Sequence, residues 1–352
     1  MRSTLLTGID VPVVDGDLCH DVLASRTSQE LGYRSDVSDV AAWGEKVREK
    51  FYELTGMKSV ETNTCPLDFC IEESLQKDGY TQLRFSFYSE TGARVPCYLL
   101  IPDTGKEKYP VAITLQGHYK GGVYGSLGEI REESDKNYQP RGAFAVQAVR
   151  NGFIALAIEQ RAMGERAPKK ELRTTGQMCS YPALVAFMLG RTTVAERIWD
   201  VHKAIDVLAN FPQCDLERIV ITGNSGGGTT AFYAACYDSR IKLCVPSCAF
   251  CQYLPSILDK VHCACNYIPR AYQYFDMQDL SVLIAPRKLL IIAGEQDAIF
   301  PIDGVRKGFE TVQAIFRRKG VEKNCRLVTT PKHHYWCEDI VWAEILTEME
   351  RI

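Results

Sequence analysis

The sequence predicts an α/β protein, a mostly parallel sheet flanked by helices and preceded by a helical extension. Three observations predict it. After residue 80, short apolar runs alternate with longer stretches of helical periodicity, as strand–helix–strand units require. A hairpin pattern opens that region. The chain has 352 residues, 46% of them hydrophobic, enough for one large core plus an extension.

Residues 1–78 read as an N-terminal extension packing on the core. Within it Trp43, Val47, Phe51 and Leu54 fall on one helical face. Residues 79–352 read as the main domain. Thr81 to Ser89 alternates as a strand, Thr91-Gly92 signals a turn, and Arg94 to Ile101 is a second strand. Six further strands are expected at Val111–Leu115, Phe153–Ile158, Ile219–Thr222, Lys242–Val245, Leu289–Ala293 and Arg326–Thr329, making an eight-stranded sheet. Helical stretches lie near 141–151, 194–210, 227–237, 303–319 and 337–350. Residues 160–193 are too long for a simple connection and read as an insertion over the sheet. Parallel sheets gather ligands at the carboxyl ends of their strands, which is where chemistry is expected.

Composition narrows the function. The formal net charge is −3 and Lys and Arg are scattered, so no nucleic-acid partner is expected. The densest basic cluster, Arg317-Arg318-Lys319, suits the cationic end of a helix. No apolar run nears the ~18 residues of a membrane span. Asp10 and Pro12 interrupt the N-terminal segment too early for a signal-peptide core. Fourteen cysteines without the short, loop-rich character of a disulfide scaffold point to a reducing, cytoplasmic setting. No repeat is found, and a homo-oligomer is compatible with the sequence.

The chemistry centres on residues 219–230, IVITGNSGGGTT. An apolar strand runs into Gly223-Asn224-Ser225-Gly226-Gly227, and a helical pattern follows. This is G-x-S-x-G in strand-turn-helix context, which lifts a serine hydroxyl clear of the sheet. The turn is tight, so only very small side chains fit at 223 and 227. No Lys follows the glycines, as a phosphate loop would need, and Ser225 stands where a dinucleotide fingerprint needs its second Gly. No cofactor is expected.

A serine needs a base, and the chain has only six histidines. His333 and His334 follow the last candidate strand, and His334 is the preferred base. In LLIIAGEQDAIFP a buried strand ends at Ala293, and Asp297 lies in the loop beyond it, with Glu295 in reserve. The strand VAITL runs into Gln116-Gly117-His118-Tyr119, which nominates the His118 amide, beside that of Gly226, as an oxyanion donor. Tyr119, Gln160 and Trp336 are candidate substrate contacts. Cys248-x-x-Cys251 and His262-Cys263-Ala264-Cys265 carry zinc-ligand residue types, but not in a usual spacing. They read as buried cysteines, and no metal is expected.

From Tyr80 onward the chain resembles the α/β-hydrolase superfamily, specifically its acetyl xylan esterase-like and dienelactone hydrolase-like branch. The carriers are VPCYLLIP, ITLQGHYKGG, ALAIEQRAMGER, DLERIVITGNSGGG, LIAPRKLLIIAGEQDAIFP and HHYW. The resemblance implies a Ser225–His334–Asp297 triad and hydrolysis of a small ester, such as an acetylated carbohydrate. A peptidase or acyltransferase on the same triad, or a non-catalytic binding protein, are the alternatives. The sequence departs from the family pattern at Gln116-Gly117, where His-Gly is usual. It departs again at Glu159-Gln160-Arg161-Ala162, where D-x-R-G is usual, and at Gly226, where the deacetylases carry Gln.

Overall fold

The computed structural model describes residues 2–4, 10–12, 15–119, 121–129, 142–169 and 179–352. In chain order the elements are β1 (Arg2–Thr4), β2 (Asp10–Pro12), α1 (Leu18–Arg26), α2 (Val40–Thr55), α3 (Met57–Glu61), β3 (Cys70–Lys77), β4 (Tyr80–Glu90), β5 (Ala93–Pro102) and β6 (Tyr109–Leu115). There follow α4 (Phe144–Arg150), β7 (Ile154–Ile158), α5 (Ser180–Met188), α6 (Thr193–Leu208), β8 (Cys214–Asn224), α7 (Gly226–Tyr237) and β9 (Ile241–Ser247). The last are α8 (Ala271–Tyr274), β10 (Lys288–Gly294), α9 (Ile302–Arg318), β11 (Cys325–Thr330) and α10 (Glu338–Met349).

The main sheet has nine strands among the described residues, in the order β11-β10-β9-β8-β6-β7-β5-β4-β3. β6 to β11 run parallel, while β3, β4 and β5 form an antiparallel edge. All eight expected strands are present. The ninth, β3, corrects the expected count. It is exposed along nearly its whole length, so CIEESLQK carries no one-sided apolar pattern, and backbone pairing with β4 alone defines it. The expected division at residue 78 therefore falls in the turn between two strands of one sheet.

Chain order reverses around β6, whose neighbours are β7 on one side and β8 on the other. Such a switch point opens a crevice at the strands' carboxyl ends. One sheet face is covered by α4 and α10, and the core there includes Phe144, Phe153, Trp336 and Trp342. The other is covered by α2, α6, α7 and α9. The predicted apolar stripe of α2 is real: Trp43, Val47 and Phe51 are buried in that second core, and Leu54 packs at its margin. Asp39 caps the helix by accepting from the Ala41 and Ala42 amides, at 2.9 and 3.0 Å.

Within the expected insertion, residues 160–169 and 179–193 are described, and 170–178 lie outside the described residues. Buried charge holds both of its roots. On one side, Arg161 pairs with Glu90 at 2.6 Å and with Asp200 at 3.1 Å, and Arg166 pairs with Asp200 at 2.6 Å. On the other, Arg191 pairs with Glu90 at 2.5 Å and with Glu196 at 3.1 Å. Ser89 adds a hydrogen bond to Asp200 at 2.6 Å. Three cations thus meet three carboxylates in a site too dry for screening.

Burial works against the Asp200 charge, but Arg161 and Arg166 outweigh it and hold the carboxyl down at about 2. Against an ordinary value of 3.8, its contribution to stability is complete above pH 3.8 and is lost as pH falls towards 2. Asp200→Ala leaves Arg161 and Arg166 short of a partner and is expected to cost roughly 3–5 kcal/mol. Urea unfolding at pH 7 measures this, and a loss below about 1 kcal/mol would show that the cluster is dispensable.

Candidate active site

β8 enters the site as an apolar strand and stops at Asn224. Ser225 then adopts φ 56° and ψ −125°, a conformation costly for a residue with a Cβ, before α7 begins at Gly226. The strain is enforced from below. A Cβ on Gly227 would strike the Leu115 carbonyl oxygen at the end of β6, and one on Gly223 would meet that same oxygen. The two glycines therefore let β6, β8 and α7 close together. The Ser225 amide donates to the Ser247 carbonyl at 2.9 Å, which ties the elbow to the end of β9.

Two strands further along the sheet bring in an acid and an imidazole. Asp297 follows β10 and His334 follows β11, and these strands pair in register from Leu289/Cys325 to Gly294/Thr330. Backbone bonds from Glu295 to Thr330 (2.9 Å) and from Gln296 to Lys332 (3.0 Å) lock the two loops together. His334 Nδ1 lies 2.8 Å from Asp297 Oδ2. The other carboxylate oxygen accepts from the amides of Ile299 (2.8 Å) and Phe300 (3.1 Å). Burial opposes the Asp297 charge, but the His334 hydrogen bond and these amides hold the carboxyl below its ordinary range. The Phe300 ring stacks on His334 at 5.9 Å between centres.

The reserve candidates lie elsewhere. Glu295 is forked onto Arg306 at 2.7 and 2.8 Å. His333 is exposed, with Nδ1 3.1 Å from the Gln296 carbonyl. Cys248, by contrast, is beside the dyad: its sulfur, the Asp297 carboxylate and a His334 ring nitrogen lie within 4.8 Å of one another. Burial, reinforced by Asp297, pushes that thiol up to about 12, so it stays a neutral S–H.

The loop after β6 comes over the elbow from the opposite side. A Cβ on Gly226 would sit 2.8 Å from His118 Nδ1. The departure from Gln at this position thus has a steric cause, because the His118 ring occupies the space a longer side chain would need. Burial, then the Arg197 charge, push His118 down to about 3, so its ring is neutral. Among the described hydrogen bonds, neither the His118 nor the Gly226 amide donates to a protein acceptor.

Beneath this loop sits Glu159, whose significance the sequence did not signal beyond the altered D-x-R-G pattern. It accepts from Gln116 Nε2 (3.1 Å) and from the amides of Val123 and Glu165 (3.2 Å each). Burial pushes its carboxyl up to about 8 against the pull of those amides.

The expected substrate contacts need correction. Trp336 is fully buried in the core, packed on Phe144, with its indole N–H donating to Gln147 at 2.9 Å. Its size and this bond commit it to structure. Gln160 is buried too, donating to the Gln116 carbonyl and accepting from Thr230 at 2.7 Å. It braces the loop from inside. Tyr119 is buried with its ring against Gly121 and Gly125. The cysteine group singled out in the sequence also divides. Cys248 lies by the dyad and Cys251 by the Pro301 carbonyl, while Cys263 and Cys265 meet His118 and Cys179.

An elbow beside the switch point, with an Asp–His pair on loops at the same end of the sheet, on a nine-stranded sheet of this order, defines an α/β-hydrolase fold. The chain belongs to the Abhydrolase family, which matches residues 18–315. It is 28% identical over 247 residues to YtaP of Bacillus subtilis (strain 168), a protein named as a hydrolase, spanning 69% of this chain and 78% of that one. A Bacteroides fragilis NCTC 9343 structure bearing the name of an acetyl xylan esterase superposes with a TM-score of 0.77 at 17% identity, covering 99% of this chain and 97% of that one. A glucuronoyl esterase from Solibacter usitatus gives 0.66 at 15% identity, covering 93% of this chain and 99% of that one. At these identities the structural likenesses establish the fold. Among the described residues no helix is long and apolar enough to cross a membrane.

The elbow's steric account is testable by contrast. Gly227→Ala drives a Cβ into backbone that cannot retreat, and should destabilise the protein by about 3 kcal/mol or more. Gly226→Ala meets the His118 side chain rather than backbone and should cost less than Gly227→Ala. Equal losses in urea unfolding would refute the account.

Proposed function

We propose that this protein is a serine carboxylester hydrolase acting on a small ester, an acetylated carbohydrate or a related compound. One observation carries the reading: a strained serine at the elbow stands on the same sheet end as an Asp–His pair, in the chain order Ser, Asp, His. The names of the structural neighbours support ester chemistry and a carbohydrate alcohol.

In this reading Ser225 Oγ attacks the ester carbonyl and His334 Nε2 takes its proton. Asp297 Oδ2 accepts from His334 Nδ1, fixing the tautomer and stabilising the imidazolium. The Asp297 carboxyl stays ionised for that role because its second oxygen is held by two amides. The carbonyl oxygen, as it gains charge, is met by the amides of Gly226 and His118 and by the N-terminal end of α7. The alcohol leaves with the proton from His334. Water, deprotonated by the same imidazole, then cleaves the acyl-enzyme and restores the serine.

Ser225→Ala should lower kcat on short aryl acetates by on the order of 10⁴–10⁶ and abolish labelling by a fluorophosphonate probe. An equally active Ala variant would sink the assignment. The base is decided by a matched pair: His333→Ala should keep most of the activity and His334→Ala should lose nearly all of it. The reverse pattern would move the base to His333. Asp297→Asn should cost about 10⁴ in kcat through the wrong imidazole tautomer, whereas Glu295→Gln should leave kcat near wild type.

A further inference from the structure

The far side of the His118 ring faces sulfur. Its Nε2 lies 3.0 Å from Cys179 Sγ and 3.1 Å from Cys265 Sγ. Those two sulfurs are 3.5 Å apart. The sulfur of Cys263 is bonded to that of Cys179, and all four ligand atoms fall within 4.8 Å of one another. The three cysteines are buried. They come from distant places: the loop after β6, the residue before α5, and the short segment 263–265.

Among the described residues, this corner has few large apolar side chains to hold it together. Its apolar cluster consists of the three cysteines with Ala162, Ala183 and Ala264. The two main cores are filled by Phe, Trp, Leu and Ile. At about 25 cal/mol per Å² of apolar area, alanines and thiols contribute little. Yet three separate segments converge here beside the candidate active site. The Cys179–Cys263 disulfide joins two of them. It leaves His118 Nε2 facing sulfur and Cys265 as a lone thiol.

Charge supplies an independent argument. Arg197 is buried at 2% exposure. Its Nη1 lies 3.4 Å from Cys265 Sγ and its Nη2 donates to the Arg161 carbonyl at 3.0 Å. Its Nε has no partner, and among the described residues it makes no ion pair with a carboxylate. A buried guanidinium aimed at a sulfur calls for negative charge there.

We propose that His118, Cys179, Cys263 and Cys265 bind one zinc ion in a closed Cys₃His site. Three thiolates and an imidazole are the soft, four-ligand set that selects tetrahedral zinc. Binding to the reduced site replaces three S–H bonds with three Zn–S bonds and one Zn–N bond and releases three protons. Where Cys179 and Cys263 are disulfide-bonded, a thiol or phosphine reductant must first supply two electrons and two protons. Zinc with three thiolates carries one net negative charge, and Arg197 balances it. The ion would join all three segments, and by fixing the His118 ring it would hold the loop that carries the proposed oxyanion amide. That last role rests on the esterase reading, whereas the metal site itself does not.

The test is metal analysis of the full-length protein, purified under reducing conditions from zinc-supplemented medium. The wild type should hold about one zinc per chain by mass spectrometry. Cys179→Ser and Cys265→Ser should lose it, and Cys251→Ser, outside the cluster, should retain it. The Cys265→Ser arm separates the two chemistries, because a Cys179–Cys263 disulfide would survive that change. Cobalt added to reduced, metal-free wild type should give the thiolate charge-transfer and ligand-field bands of a tetrahedral sulfur site. Should the serine variants fail to fold, the wild-type zinc content and cobalt spectrum decide alone. Metal-free reduced wild type with no cobalt bands would overturn the proposal, as would a Cys265→Ser protein with full zinc. None of these readouts uses enzymatic activity, so they stand or fall apart from the esterase assignment.

Discussion

The site depends on one close approach, that of the Leu115 carbonyl at the end of β6 to Gly223 and Gly227 flanking Ser225. Side chains at either glycine would hold β8 and α7 away from β6, and the turn between them could relax. With hydrogen there instead, Ser225 is pressed into a conformation that residues with a Cβ avoid. The energy for that strain comes from the surrounding sheet, where β6, β8 and β9 are buried on both faces. The same contact brings the loop after β6 over the start of α7, so His118 comes to rest on Gly226.

Around this contact the molecule uses three different kinds of adhesive. The sheet and its helices are held by apolar burial on two faces. The roots of the insertion are held by ions, with Arg161, Arg166 and Arg191 set against Glu90, Glu196 and Asp200. Such a cluster offers less net stability than apolar packing, but it fixes geometry tightly, because each charge is costly without its partners. Among the described residues, the apolar cluster by His118 is made of cysteines and alanines, so its sulfur and imidazole groups are the means that hold it. Each region's residue types therefore indicate which force holds it.

The dyad shows how a single hydrogen bond is prepared at several levels. Parallel pairing of β10 with β11 sets the two loops side by side. Backbone bonds between those loops then fix their separation. The Ile299 and Phe300 amides take one oxygen of Asp297 and leave the other for His334. Arg306 draws Glu295 aside, and Cys248, neutral as a buried thiol, adds no competing charge.

Much of this was legible in the chain alone, for physical reasons. A strand buried on both faces must be a continuous apolar run, so β6 to β10 announce themselves, as does the amphipathic α2. Tight turns need glycine, so the elbow and Ser225 could be read directly, and chain order singled out Asp297 and His334. Only the tertiary structure could decide the rest. An exposed edge strand such as β3 needs no apolar pattern, because backbone pairing defines it. Whether Trp336 and Gln160 point outward or inward depends on what stands opposite them, which here is Phe144 with Gln147 and Thr230. The partners of Cys263 and Cys265 lay far away in the sequence, at His118 and Cys179 rather than at Cys248 and Cys251. Local sequence dictates backbone conformation and periodicity, but which side chains meet is a property of the packed chain.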